Sequence, residues 1–197
     1  LDFSSYMLQA QASNAKVVGL ANAGGDTINA IKAANEFGLT KNQKLAGLLV
    51  FINDVHALSL NVTKGMQLTE SFYWDLNDET RKFSRRYFER MKKMPNMLQA
   101  GAYSSTLHYL NAGKATGTDE TSKVMAWMKA NPINDVFVKN GRIREDGRMM
   151  REMYLFEVKD PSESKYPWDY YKLKAVVPAE QAFMPLSKSV CPLLKKS

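Results

Sequence analysis

The strongest constraint on the fold is a switch of hydrophobic period that repeats along the amino-terminal third of the chain. The stretch "VVGLANAGGDTINAIKAANEFG" (residues 17–38) opens as an apolar run, passes through a Gly-Gly-Asp turn and continues as a helix stopped by Gly38. A short apolar run suits a strand buried on both faces, and a glycine at the helix end suits the left-handed cap. The pattern recurs: "LAGLLVFI" (45–52) reads as a second buried strand, residues 53–60 as a short helix capped by Asn53 and Asp54, and residues 66–74 as a third strand ending in Phe72, Tyr73 and Trp74. A helix over residues 2–12, with Asp2 as its N-cap and Phe3, Tyr6, Met7 and Ala10 on one side, precedes them. This α-β-α-β-α-β order predicts an α/β fold with parallel strands, right-handed crossovers and helices on both faces.

The rhythm then changes. Asn77 caps a basic helix that Met94-Pro95-Asn96 breaks, a long helix follows over residues 97–115, and another runs from 119 to 130, capped by Thr118 or Asp119. Asn140-Gly141 and Asp146-Gly147 are two turn signals, either able to form a type I′ hairpin. Residues 150–159 and 170–177 read as the last strands, and a Pro-punctuated tail from Pro178 wraps over the surface. A chain that leaves an α/β layer, builds helices elsewhere and returns with strands suggests two lobes joined by crossing segments near Tyr73-Trp74-Asp75 and near residues 133–141.

The net charge of +7 raises a nucleic-acid reading, but the distribution argues against it. Residues 81–93, "RKFSRRYFERMKK", hold seven bases and one acid, with Asp75, Asp78 and Glu79 just before them. Acids in the first turn and bases toward the end suit the helix dipole, and Phe83, Tyr87 and Phe88 supply a buried stripe. The basic run therefore reads as a solvated helix face, and no nucleic-acid motif accompanies it. No apolar run reaches the roughly 18 residues that span a bilayer. The chain begins with Leu1 and shows no charged-then-apolar leader, the look of a processed or partial product. The one cysteine, Cys191, is either a free thiol or paired with a residue outside this sequence.

Enzyme signatures are lacking: no Walker loop, no G-x-S-x-G, no H-E-x-x-H and no Cys-x-x-Cys pair. His56 lies two residues from Asp54, a spacing that does not face on a helix, and His108 sits mid-helix beside Tyr109 as a packing residue. Neither an enzyme nor a metal or other cofactor is expected. A binding cleft has better support, because ligands of open parallel sheets sit outside the carboxyl ends of the strands. Those ends carry Asn22, Ala23, Gly24, Gly25 and Asp26 after the first strand, and Asn53, Asp54 and His56 after the second. A tight βα turn accounts for the glycines as well as a ligand cradle does.

Five segments resemble one family in its order: "QASNAKVVGLANAGGDTINAIKAANEFGL", "LAGLLVFINDVHAL", "ESFYWDLNDETRKFSRR", "GRIREDGRMMREMYLFEVK" and "SKYPWDYYKL". The chain is similar to ABC-transporter substrate-binding proteins of the branched-chain-amino-acid type over essentially all 197 residues, and looks like their carboxyl-terminal half. The resemblance implies a type I periplasmic-binding-protein fold of two Rossmann-like lobes closing on a small solute. Residues 1–73 and 148–180 would form most of the second lobe, 75–135 a helical part of the first, 136–147 a hinge crossing and 181–197 a tail. The cleft would be walled by residues 22–26 and by Phe51, Asn53 and Asp54. Tyr73 and Trp74 would come from the hinge strand, and Gln99 and Tyr103 from the first lobe. Members that bind α-amino acids place a carboxylate after the second strand for the ammonium; Asp54 is the residue available for that role here. An amino acid, an amide, or an aromatic or aliphatic carboxylate are all open as ligand. The partners implied are that small molecule, the membrane permease of an ABC importer and the missing amino-terminal half, in the periplasm, with no nucleic acid. The alternative is a sensor domain of the same fold feeding a receptor.

Overall fold

The computed structural model of the chain describes residues 2–190 and 194; Cys191 lies outside the described residues. Helix α1 (Ser4–Ala12) leads to β1 (Val17–Leu20), α2 (Gly24–Glu36), β2 (Lys44–Gly47), α3 (Ile52–Leu58), α4 (Leu60–Thr63) and β3 (Gln67–Glu70). Three longer helices follow, α5 (Asp78–Met91), α6 (Met97–Thr116) and α7 (Thr121–Ala130). The chain closes with β4 (Arg142–Ile143), β5 (Met149–Met150), β6 (Met153–Val158), β7 (Tyr171–Val177) and α8 (Ala179–Ala182). The main sheet has the order β1-β2-β3-β6-β7, with β1, β2 and β3 parallel and β6 and β7 antiparallel to their neighbours.

The helices of the two β-α-β units share one face of the sheet. Both β-α-β crossovers step in the same direction across the sheet, so right-handedness puts α2 and the α3–α4 pair on the same face. Burial follows that face. The row Leu20, Gly47 and Leu68 is buried and in register, while on the other side Val17 is 54% exposed. Within this chain β1 lies at the end of the described sheet with Leu20 buried and Val17 exposed, so the both-face burial expected of it is not seen here. The core gathers Ala30, Ile31 and Ala34 of α2, Val55 and Leu58 of α3, and Leu45, Leu68 and Phe156 of the sheet.

Element ends also differ from the sequence reading. α2 starts at Gly24 rather than at Asp26. β2 stops at Gly47 rather than running to Ile52, and α3 then begins at Ile52 with Phe51 as its N-cap. A Cβ on Gly47 would lie 2.4 Å from Val50 Cγ2, so the chain turns tightly over the strand end there. β3 is confined to Gln67–Glu70, the three aromatics after it lying in the following turn. The late hairpin is not type I′. Gly147 has φ of +80° whereas Asp146 stays at negative φ, and the Arg144 N–H donates to the Arg148 carbonyl at 2.8 Å. That is the three-residue connection with glycine in the left-handed position. Asp146 grips the Arg144 guanidinium with both oxygens, at 2.9 and 2.6 Å. Gly141 instead bridges Ile133.

The basic helix behaves as a solvated face. Asn77 caps α5 through the Thr80 N–H, Thr80 and Ser84 are buried, Phe83 and Phe88 pack against the core, and Arg85, Arg86 and Arg90 are exposed.

The sheet and the helical block meet at the carboxyl end of β3. Glu70 is fully buried, accepting from the Tyr171 hydroxyl at 3.1 Å and the Met97 N–H at 3.4 Å. Removal from water raises its pKa from 4.5 to about 8, against the opposing pull of those hydrogen bonds, and the Asp54 charge adds to the rise. Between these two values the folded chain holds a proton that the unfolded chain has released. Stability is therefore full below pH 4.5, falls as pH rises through the window and levels off above about 8. We expect chemical denaturation to show a decline of about 2–4 kcal/mol from pH 5 to 8.5. Glu70→Gln should flatten that slope; an unchanged slope would place the titration elsewhere. Gly47→Ala should cost about 1–3 kcal/mol at any pH, read from the urea midpoint, because Val50 is packed too closely to retreat.

Candidate functional site

Because β1, β2 and β3 run parallel, the segments that follow them emerge along one edge of the sheet. After β1, the chain turns straight into α2. Gly24 has φ of +59°, and neither at Gly24 nor at Gly25 would a Cβ meet any atom within 4 Å. Ala23 is the N-cap and supplies no side-chain acceptor, so the first N–H groups of a 13-residue helix have no side-chain cap. Asn22 braces the turn, its Oδ1 accepting from the Thr27 hydroxyl at 3.0 Å. Asp26 is exposed in the first turn of the helix.

After β2, Leu48 and Leu49 are 61% and 41% exposed, an apolar step at the same edge. Phe51 is half-buried, and its N–H donates to Asp54 Oδ2 at 2.9 Å. Asp54 therefore caps its own helix with one oxygen, and partial burial raises its pKa above the ordinary carboxylate value. Asn53 is turned toward the helical block. Its Nδ2 donates to the Met94 carbonyl at 3.1 Å and its Oδ1 accepts from Asn96 Nδ2 at 2.9 Å.

After β3, Tyr73 and Trp74 are buried, and both donate to the Trp168 carbonyl, at 3.4 and 2.9 Å. Trp168 adopts φ of +69°, which turns that carbonyl toward them, and its ring stacks on His56 at 3.8 Å between centroids. Gln99 closes the N-terminal capping box of α6, its Oε1 accepting from the Asn96 N–H at 2.9 Å. Tyr103 is 40% exposed, its ring tilted against Phe83 at 5.1 Å.

The structure thus brings residues 22–26 and 51–54 to one edge, with Tyr73 and Trp74 directly behind it. Asn53 and Gln99 face the junction with α6, and Tyr103 lies one and a half turns along that helix. Three features escaped the sequence reading. Glu70 occupies the covered face of β3, in line with Leu68, and only the strand register could have flagged it. Leu48 and Leu49 sit in an apolar run that suits a buried strand, yet they lie beyond the end of β2 and are exposed. Arg151, between β5 and β6, carries no local signal, yet its Nη2 donates to Ser71 Oγ at 3.1 Å, beside the end of β3. Among the described residues, no three His, Cys, Asp or Glu side chains group as a metal site, and no helix is long and apolar enough to cross a membrane.

Comparison with protein families matches residues 1–165 to a periplasmic binding protein model. A periplasmic binding protein from Burkholderia mallei superposes with a TM-score of 0.93 at 57% identity, over 98% of this chain and 52% of the other. A branched chain amino acid ABC transporter periplasmic ligand-binding protein from Burkholderia xenovorans LB400 follows, with a TM-score of 0.87, 43% identity and coverage of 97% and 51%. At 20% identity, an amino acid ABC transporter substrate-binding protein from Pseudomonas fluorescens Pf-5 shares the fold, with a TM-score of 0.86. Comparison with curated protein sequences finds no match. The chain spans about half the length of the solved structures it matches. With the mixed α/β sheet and its matched topology, the fold is that of type I periplasmic binding proteins, and the chain belongs to the periplasmic binding protein family.

Proposed function

We propose that this chain forms one wall and part of the opposite side of a solute-binding cleft, in an extracytoplasmic protein that captures a small organic molecule for an ABC importer. The observation that carries the reading is the open sheet edge, where the first turn of α2, without a side-chain cap, follows β1 and the exposed Leu48 and Leu49 follow the neighbouring parallel strand β2. The amides of that turn suit a carboxylate or carbonyl oxygen, and the leucines suit an apolar body. The family and the name of the Burkholderia xenovorans relative support the importer and the periplasmic setting.

In this reading, residues 1–73 and 148–180 are the second lobe, 75–135 belong to the first and 136–147 cross between them. The work is binding without bond chemistry. A ligand touching both lobes favours the closed state by its extra contacts there, and the permease reads that state. Asn22, Ala23, Gly24, Gly25 and Asp26 line one side and Phe51 and Asp54 the next. Asn53, Tyr73, Trp74 and Gln99 hold the walls in place, and Tyr103 reaches from α6.

The test is a thermal-shift series with amino acids, their amides, and aromatic and aliphatic carboxylates. It is run on the full 197-residue chain and on its fusion to the amino-terminal portion of the Burkholderia mallei relative. One class at 100 times its Kd should stabilise the protein by about 2.7 kcal/mol. A flat response to all classes in both proteins would end the solute-binding reading. Asp54→Asn should weaken amino-acid binding by about 10- to 100-fold and leave simple carboxylates unaffected. Equal affinity for amino acids in both forms would remove Asp54 from the site.

A further inference from the structure

Helix α5 carries a run of cations that its own chain leaves unpaired. Lys82, Arg85, Arg86, Arg90, Lys92 and Lys93 are all exposed, on the helix or at its carboxyl end. The other side of the helix is seated in the protein, with Thr80 and Ser84 buried and Phe83 and Phe88 packed against the core. Lys82, Arg86 and Arg90 follow one another at four-residue spacing and so form one row along the helix axis. The acids at the start of the helix are taken by another base, Arg81, which pairs with Asp75 at 3.1 Å and with Asp78 at 3.5 Å. Among the described residues no acid stands within ion-pair distance of the exposed cations. Glu89, the one acid in residues 81–93, is exposed and makes no ion pair with them.

We propose that this row is a membrane-docking face, held by its cations on the anionic phospholipid headgroups of a bilayer. Like charges four residues apart work against a helix, and Lys82–Arg86 and Arg86–Arg90 are both pairs of that kind. The helix dipole rewards bases in the last turn, so it compensates Arg90 but not Lys82 or Arg86. A surface dense in phosphate relieves the repulsion along the whole row at once. The make-up of the face selects lipid over protein. Protein interfaces centre on aromatic and apolar anchors and are poor in lysine. This row contains no apolar side chain: Met91, the exposed apolar residue of the helix end, falls on the core side with Thr80 and Ser84. Adhesion to anionic headgroups needs charge alone, growing with each base brought to the surface and fading within a Debye length. The row spans about 12 Å of helix axis on its outer side, where a flat surface can reach all of its bases together. Other protein could cover this face only by desolvating cations for which the chain holds no acid. The row takes no part in the sheet edge described above, and the inference stands apart from the solute-binding reading.

Co-sedimentation with large unilamellar vesicles tests the face, using the full 197-residue chain and the fusion described above. Phosphatidylcholine vesicles containing about 30% phosphatidylglycerol should retain both proteins at about 0.05 M NaCl, and pure phosphatidylcholine vesicles should not. Raising the salt to about 0.3 M should release most of the bound protein. The triple variant Lys82→Gln, Arg86→Gln, Arg90→Gln should lower partitioning onto the anionic vesicles by about 100-fold. A control, Lys16→Gln, Lys32→Gln, Lys41→Gln, removes the same charge from exposed positions on other segments and should lower it by less than about threefold. Circular dichroism confirms that both variants are folded. Equal losses in the two variants would assign the effect to net charge and overturn the docking face. Equal retention by both kinds of vesicle would mark apolar adsorption and overturn it as well, as would no retention by the anionic ones. Retention on immobilised poly-L-aspartate with none on either vesicle would put an acidic polypeptide in place of the lipid, and that too would overturn the proposal.

Discussion

The structure depends on one buried carboxyl. Glu70 ends β3, the middle strand of the five-stranded sheet, and receives a hydroxyl hydrogen bond from β7 and a backbone N–H from the start of α6. No other side chain among those described joins the sheet's far strand and the helical block at a single point. Burying an acid there is costly unless it is neutral or well bonded, and Glu70 is both enclosed and bonded. The Asn53–Asn96 pair repeats the tie one strand over, using two amides that each find a partner. Met94, Asn96 and Met97 are thereby seated on the carboxyl ends of β2 and β3. The same contacts that hold the fold together shape the back of the proposed cleft.

Direction of chain travel explains what is left open at the front. Because β1, β2 and β3 are laid down in order with the same hand, their helices cover one face and their turns gather at one edge. The first turn is closed by Gly24 at positive φ, a conformation that a side chain would strain, so its backbone stays approachable. The second is closed differently. Val50 folds back over Gly47, and Asp54 takes the Phe51 amide. Side chains that could have faced a ligand, Asp54 among them, are partly committed to finishing the turn.

Much of this was legible in the sequence, and the failures have common causes. The alternation of apolar runs with helices was enough for the α/β layer, and Asn77 and Asn96 mark the starts of α5 and α6 as strong caps do. Strand ends were overrun, as at Leu48–Leu49 and Phe72–Tyr73–Trp74, because an apolar run does not reveal where the ladder stops. The apolar pattern of β1 runs over both faces, whereas within this chain only the Leu20 side is covered. Residues nominated for the edge by position include several whose polar atoms serve long-range contacts: Asn53 reaches Asn96, and Tyr73 and Trp74 reach Trp168. Partners separated by 40 to 95 positions leave no local trace.

Asp54 and Arg151, two of the charged residues near the edge, are not equivalent. Asp54 gives one oxygen to its own helix and has already lost part of its hydration, so a ligand ammonium must share it with the Phe51 amide. Arg151 donates to Ser71 Oγ and Met149 Sδ and is flanked by phenyl rings, with Nε unpaired. A hydrogen bond to a charged group contributes about 1.5–3 kcal/mol when both partners would otherwise go unmet. At Arg151 only Nε is without a partner, and at Asp54 one oxygen is taken by the Phe51 amide. In the proposed cleft, an ammonium would add to binding only as far as Asp54 can be drawn from its capping role.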